Sequence, residues 1–487
     1  MNYIFTMPAD EWDERQPNKR AILSLIKKHM SMVPRLQKLR QYYEGHHAIE
    51  DDADKAIKLV CNHAKDICDT SSAYFLSNPI AYRSKADITK LTDALDTADA
   101  DEVDGDNALD LAIYGRAYEY IYTREDETDL VCKSLSPEST FVVYDDSIEQ
   151  RELFAVYYYV RKDDTDQHID VYVATVLTEH YKYVLNIEDI EGPQSDLEPP
   201  VEHFKGEIPI IEYLNNKAGI GDFELQIPLI DAYNSLMSDR MQDKEQFIDA
   251  ILAIYGTLLS DEDYEDENGN KGGAAAMAKL KRDKLVEFPE GTKAEYLTRT
   301  FDENGVEILK KAIEQDIHKF SNIPCMTDES FGGNVSGVAM EFKLLGMDNI
   351  TKIKTRYYKR GLKKRLRIFG NWLANKAISV DVTQITPMFT RGMPKNNLEI
   401  SQIVDNLWGK VSQKTLLAQI PFVDDPDDEI KSVQKEQQEA VEQQQKLFGG
   451  LPNTPPEPEN EPEEEPEETG EEEPEEEDEK LKKPENE

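Results

Sequence analysis

Four cysteines in 487 residues are few, and no two of them form a C-x-x-C pair. Cys61, Cys68, Cys132 and Cys325 therefore offer no zinc-ribbon or thioredoxin-like motif, and reduced thiols are expected. Cys61 and Cys68 stand seven apart, so on one helix they would share a face without bridging each other. The chain has no run of about 18 apolar residues, so no membrane span is expected. Its start lacks the charged-then-apolar pattern of a secretory signal, which points to a soluble protein made in a reducing compartment. The eight histidines are scattered, and His46-His47 lacks the spacing of metal ligands. There is no G-x-S-x-G elbow and no G-x-G-x-x-G after a strand-like run. No catalytic residue, metal or cofactor is expected.

Basic residues are also scarce, 56 against 98 acidic ones, for a formal charge of −42. Part of that charge is local: Leu451 to Glu487 holds 18 acidic and 3 basic residues, which leaves the body at −27. A body this acidic does not wrap nucleic acid tightly, because phosphate binding needs Lys and Arg. It is compatible with a surface that DNA slides past. The tail from residue 449 onward is rich in Pro and Glu and cannot bury enough apolar surface to fold, so 449–487 is expected to be disordered.

Length allows two to four domains. Apolar residues recur at helical spacing over 19–45, across Pro34, and a second helical run covers about 55–76. The stretch 105–122 starts helical and ends in strand-forming aromatics. "FVVYD", "LFAVYYYVRK" and "HIDVYVATVLTEHYKYVL" follow with Val, Tyr and Phe in strand-like runs, so an antiparallel sheet is expected within an α+β region of about 20–215. Residues 224–256 read as one helix of ~45 Å, with Pro228 in its first turn and Gly256 as its stop. Its polar middle, "SDRMQDKEQ", predicts a helix that bridges or that packs on copies of itself through charged pairs. Residues 302–320 form a further helix. A long one follows over about 337–378, striped by Leu362, Leu366, Phe369 and Leu373. More helices are expected over 396–447.

"FGGNVSGVAMEF" (Phe331 to Phe342) imitates a phosphate-cradling loop. Gly332 and Gly337 have Walker spacing, but Val338 and Ala339 occupy the places of the obligatory Lys and Ser/Thr. The glycines instead read as freedom for a loop between two helices, with Ser336 as the N-cap of the second. The acidic runs "DEDYEDEN" (Asp261 to Asn268) and "DDPDDE" (Asp424 to Glu429) lack the calcium-loop pattern and read as solvated loops. "KIKTRYYKRGLKKRLR" (Lys352 to Arg367) holds nine basic residues and no acid. At helical spacing Lys352, Arg356, Lys359, Lys363 and Arg367 share a face. That face is solvated, or meets an acidic surface of a neighbouring subunit, or meets DNA phosphate.

Several stretches occur in an order that resembles a known family. They are "YYEGHHAI" (42–49), "YFLSNPIAY" (74–82), "IYGRAYEYIY" (113–122), "PESTFVVYDD" (137–146), "IPIIEYLNN" (208–216), "GDFELQIPLIDAYNSLMSDRMQD" (221–243) and "GGNVSGVAMEFKL" (332–344). The series is similar to the portal proteins of tailed double-stranded-DNA phages, of the type common in siphophages of Gram-positive hosts.

The resemblance implies a mostly helical α+β portal fold with wing, stem, clip, crown and a tunnel loop, assembled as a twelve-subunit ring. On this chain it implies a wing over 1–223 and stem helices over 224–256 and 301–326, with the clip, 257–300, between them. It also implies a tunnel loop over 327–336, a long helix with the rest of the wing over 337–390, and a crown over 391–448. Asp328, Glu329, Ser330, Phe331, Gly332, Gly333, Asn334 and Val335 would face DNA in the tunnel. Asp261, Glu262, Asp263 and Asp266 would form an acidic clip loop.

Implied partners are further copies of the chain, double-stranded DNA held without sequence preference, a terminase, head-completion or adaptor proteins, and the major capsid and scaffolding proteins, with no membrane. The implied location is the virion vertex, reached from the host cytoplasm during assembly. The other readings are a non-ring acidic scaffold or adaptor, and a metal-dependent phosphoesterase built on Asp261, Asp263 and Asp266.

Overall fold

The computed structural model describes residues 4–125, 127–162, 170–187, 197–248, 251–255, 293–297, 303–326, 337–391, 397–418, 420, 423 and 426–448. It divides into two compact units, Met1–Pro394 and Lys395–Glu487.

The first unit opens with strand β1 (Phe5–Met7) and helices α1 (Lys19–Met30) and α2 (Val33–Glu44). The Asn18 side chain accepts from the Arg20 and Ala21 N–H groups and so starts α1. Ser31 and Met32 separate the two helices, Pro34 sits in the first turn of α2, and Gly45 ends it at φ 96°.

Helix α3 spans His63–Phe75, eight residues later than its helical-looking sequence predicts. The backbone before it is held elsewhere. The Leu59 N–H donates to Ser238 Oγ and the Cys61 N–H to Asn234 Oδ1, so this segment lies along another helix. Cys61 therefore does not share a helix face with Cys68. Among the described residues none of the four cysteines is in a disulfide.

Strand β2 (Ala81–Arg83) and helices α4 (Thr89–Thr97) and α5 (Ala100–Tyr114) come next, and Gly115 closes α5 at φ 79°. The sheet strands are β3 (Arg116–Thr123), β4 (Leu130–Leu135), β5 (Thr140–Asp145), β6 (Glu152–Lys162), β7 (Asp170–Leu177), β8 (Tyr181–Ile187), β9 (Val201–Glu202) and β10 (Ile210–Leu214). They form a six-stranded sheet, β1-β5-β6-β7-β8-β9, and a three-stranded sheet, β10-β3-β4. Every pairing in them is antiparallel except β1 on β5, where Thr6 faces Tyr144 in parallel. Ile22 and Ile26 of α1 bury against Phe141, Phe154 and Val176 of the larger sheet. Each such burial is worth roughly 1.5–3 kcal/mol.

Helix α6 runs Ile227–Ile248, with Pro228 in its first turn. It does not continue to Gly256. Residues 251–255 form strand β11 (Ile251–Tyr255), paired antiparallel with β12 (Lys293–Leu297). "ILAIY" is rich in β-branched and aromatic side chains, and a ladder partner some 40 residues later overrides its apparent helical continuation. The helix is therefore ~33 Å long, not ~45 Å.

Helix α7 (Glu303–Ser321) packs on α6. The long helix α8 (Gly337–Asn375) has 39 residues and spans ~58 Å. Its stripe of Leu362, Leu366, Phe369 and Leu373 is buried with Leu91, Leu95 and Leu111. Strand β13 (Thr386–Met388) pairs with β2. The second unit holds α9 (Asn397–Leu407), α10 (Gln413–Leu417) and α11 (Pro426–Phe448). Ser412 caps α10, Leu416 is buried, and Lys414 pairs with Asp427 at 2.6 Å.

Candidate functional site

The polar middle of α6 finds its charges within the same chain. Arg240 donates to Glu307 of α7 at 2.8 Å, Lys244 meets Glu303 at 3.0 Å, and Asp239 receives Lys55. The polarity that predicts packing between copies thus serves at least partly to clamp α6 to α7.

Helix α8 sorts its nine basic residues by helical angle. The five named from sequence stand on its outer side. Lys352 pairs with Asp348, which also receives Arg391, and Arg367 pairs with Glu207. Lys359 lies 5.5 Å from the centre of the Phe389 ring. Arg356 and Lys363, together with Arg360, are exposed and have no acidic partner among the described residues.

The remaining three, Lys354, Lys364 and Arg365, turn inward. Lys354 Nζ donates to Asp222 Oδ2 at 2.7 Å and to Ser71 Oγ at 3.0 Å. Asn215 holds the other oxygen of Asp222 at 2.7 Å. Lys364 Nζ meets Glu152 and donates to the Ile210 carbonyl at 2.8 Å. Arg365 is fully buried and bridges Asp104 of α5 and Glu119 of β3. Tyr213 donates to Glu119 at 2.6 Å, Tyr358 donates to Asp104, and the two rings stack at 4.3 Å. Burial pushes the Asp104 carboxyl and the Tyr213 and Tyr358 phenols up, and the Arg365 guanidinium pulls all three the other way.

Buried pairs of this kind cost desolvation and fix one arrangement of the elements they join. Here they fix α8 to α3, α5, the smaller sheet and the 215–222 loop. The sequence does carry a signal for two of them. At 100° per residue, Lys354 and Arg365 lie within about 80° of the Leu362 direction, on the apolar stripe's side of the helix.

The loop residues Asp328 to Val335, the cap Ser336 and the clip acids Asp261, Glu262, Asp263 and Asp266 lie outside the described residues. Helix α8 begins at Gly337, directly after the expected cap. Among the described residues no group of His, Cys, Asp and Glu is placed to hold a metal ion, and no helix is long and apolar enough to cross a membrane.

The family model for the phage portal protein, SPP1 Gp6-like, matches residues 23–443. The chain belongs to this portal family. It is 23% identical over 454 residues to the portal protein of Bacillus phage SPP1, covering 90% of this chain and 87% of that one. It is 24% identical over 319 residues to the portal protein of Clostridium phage phiCD119, covering 61% and 64%. Among solved structures, a chain from the neck of an empty GTA particle is 12% identical with a TM-score of 0.43, covering 72% of this chain and 86% of that one. A likeness of that size is loose, and the assignment rests on the sequence match.

All seven portal-like stretches fall inside residues 23–443, and the acidic tail from Leu451 falls outside. The protein is thus a phage portal, a connector at the capsid vertex through which DNA is packaged and ejected. The family is structural, not enzymatic.

Proposed function

We propose that the chain works as a ring of twelve copies at one vertex of the virion, assembled in the host cytoplasm. The observation that supports this best is the portal family match over residues 23–443, and the clamped helix pair suits the stem that this family implies. α6 and α7 run side by side through Arg240–Glu307 and Lys244–Glu303, and α8 begins sixteen residues after α7 ends. In the ring, 224–256 and 301–326 serve as the stem and 257–300 as the clip. Residues 1–223 with 337–390 make the wing, and 391–448 the crown.

The segment 327–336, ending on the cap Ser336, lies beside the duplex. Its glycines, Gly332 and Gly333, let it follow a moving helix of phosphates. Contacts there are without base readout, because any sequence must pass. The net negative body keeps the channel from gripping its cargo: with a Debye length of ~8 Å, wall carboxylates repel phosphate only at short range. The portal performs no catalysis in this reading. A terminase supplies the energy and docks on the clip, where Asp261, Glu262, Asp263 and Asp266 offer it an acidic loop. Head-completion, major capsid and scaffolding proteins meet the remaining surfaces.

Truncation after Gly450 separates this reading from that of an acidic adaptor. A portal lacking its tail still forms annular particles under the electron microscope. Loss of all assembly and partner binding with the tail would favour the adaptor.

A further inference from the structure

Arg356, Arg360 and Lys363 cluster on one face of α8 in a protein of charge −42: exposed cations that find no acid among the described residues of their own chain. Arg365 gives their direction. It points inward to Asp104, and at 100° per residue all three stand within about 40° of the opposite side of α8. Asp104 gives the direction of α5 in the same way. Glu102 and Asp106 stand within about 20° of the side of α5 opposite Asp104. They are exposed, and neither has a basic partner among the described residues. About the Arg365–Asp104 pair, a cationic strip faces out from one side of the layer and an acidic face looks out from the other, neither of them paired among the described residues.

Resting on the ring reading above, we propose that the Arg356–Arg360–Lys363 strip of each copy docks on the Glu102–Asp106 face of α5 in the next copy. Two complementary patches that look in opposite directions give a head-to-tail contact, which closes into a ring when the rotation between copies allows. A cavity of about 220 Å³ lies beside the strip, lined by Tyr144, Tyr357, Arg360 and Lys363, with room for an incoming carboxylate side chain. Glu152 and Glu212 in its wall are already taken up by Lys364 and Arg116. A DNA backbone fits this strip less well. Three cations are a small phosphate footprint, and Glu207 and the wall carboxylates flank it.

Two charge-reversed full-length chains test the assignment, with assembly read by native mass spectrometry and negative-stain microscopy. One carries R356E/R360E/K363E and the other E102K/D106K. Alone, each juxtaposes like charges, and its ring fraction at low salt is expected to fall at least about tenfold. Mixed in equal amounts they are expected to form rings in which the two chains alternate, because every junction again pairs opposite charges. A chain that had merely misfolded would gain nothing from mixing.

The neutral variant R356Q/R360Q/K363Q is expected to assemble more slowly than wild type and with a rate that no longer responds to salt. Wild-type rates for this variant, or a mixture no better than its components, overturns the proposal. Normal assembly of the neutral variant with weakened retention of DNA also overturns it, and gives the strip to DNA. If wild type forms rings and the variants do so equally, this contact alone fails. If wild type stays monomeric, the ring reading fails with it.

Discussion

Arg365 meets Asp104 as a two-pronged pair, Nη1 donating to Oδ2 at 2.9 Å and Nη2 to Oδ1 at 2.7 Å, while its Nε donates to Glu119 at 2.9 and 3.0 Å. The consecutive elements α5 and β3 meet α8, whose Arg365 lies 246 to 261 residues further along the chain, at this one guanidinium.

Replacing Arg365 tests whether the junction holds the fold. Arg365→Met leaves two buried carboxylates without a cation and is expected to cost about 3–5 kcal/mol in urea unfolding. Arg365→Lys cannot fork between Asp104 and Glu119 and is expected to recover only part of this. The triple change D104N/E119Q/R365M removes the charges together and is expected to be far milder than R365M alone.

Gly221 is the tightest backbone approach near Asp222. A Cβ there would stand 2.3 Å from the Ile113 carbonyl oxygen, and 2.9 Å from that of Ala112. All of these are backbone atoms at the end of α5, which cannot give way without moving the helix. Gly221→Ala is expected to lower stability by about 3 kcal/mol or more and to loosen the Asp222–Lys354 pair. A thermal melt with Lys354→Met as the comparison checks this. An unchanged melting point would contradict the packing described.

His29 gives the fold an acid limit. Its ring is buried against Phe141, with Nε2 3.2 Å from the Pro137 carbonyl and Nδ1 2.8 Å from the Tyr158 hydroxyl. Burial is the main cause that lowers its pKa to about 4, from 6.5. The unfolded chain therefore takes up the proton first on acidification. The stabilisation is complete above about pH 6.5 and is lost as pH falls toward about 4, by about 3 kcal/mol in all. His29→Gln is expected to flatten this part of the stability–pH curve, measured by denaturant titration at each pH.

The role proposed for residues 327–336 predicts different effects on assembly and on passage of DNA. Gly332→Val with Gly333→Val, or lengthening of the loop, is expected to impair DNA packaging several-fold more than ring formation, because the proposed task of these glycines concerns the cargo and not the contacts between copies. A packaging assay and particle counts on the same preparation check this. Equal loss of both would remove the loop's proposed role on DNA.

Much of this arrangement is legible in the chain. The Leu362–Leu366–Phe369–Leu373 stripe marks the long helix, and the Val- and Tyr-rich runs mark the larger sheet, because both rest on local periodicity. The inward cations have a weaker signal. Charged residues ordinarily face water, and the partners of Lys354 and Arg365 lie 132 and 261 residues away. The end of α6 at Ile248 was hidden for a similar reason, since "ILAIY" becomes a strand only through residues 293–297. The parallel pairing of β1 has no local signature at all. The pattern along α8 did mark a basic face. That pattern does not distinguish the six that have a partner or a ring to lie on from the three that have no acidic partner among the described residues.

A portal works as a ring of copies around a channel. Negative-stain electron microscopy of the purified full-length protein, over a range of concentration and salt, tests it most directly. Annular particles with a central channel and twelve-fold symmetry are expected in the assembled state. A clean monomer under every condition would contradict it.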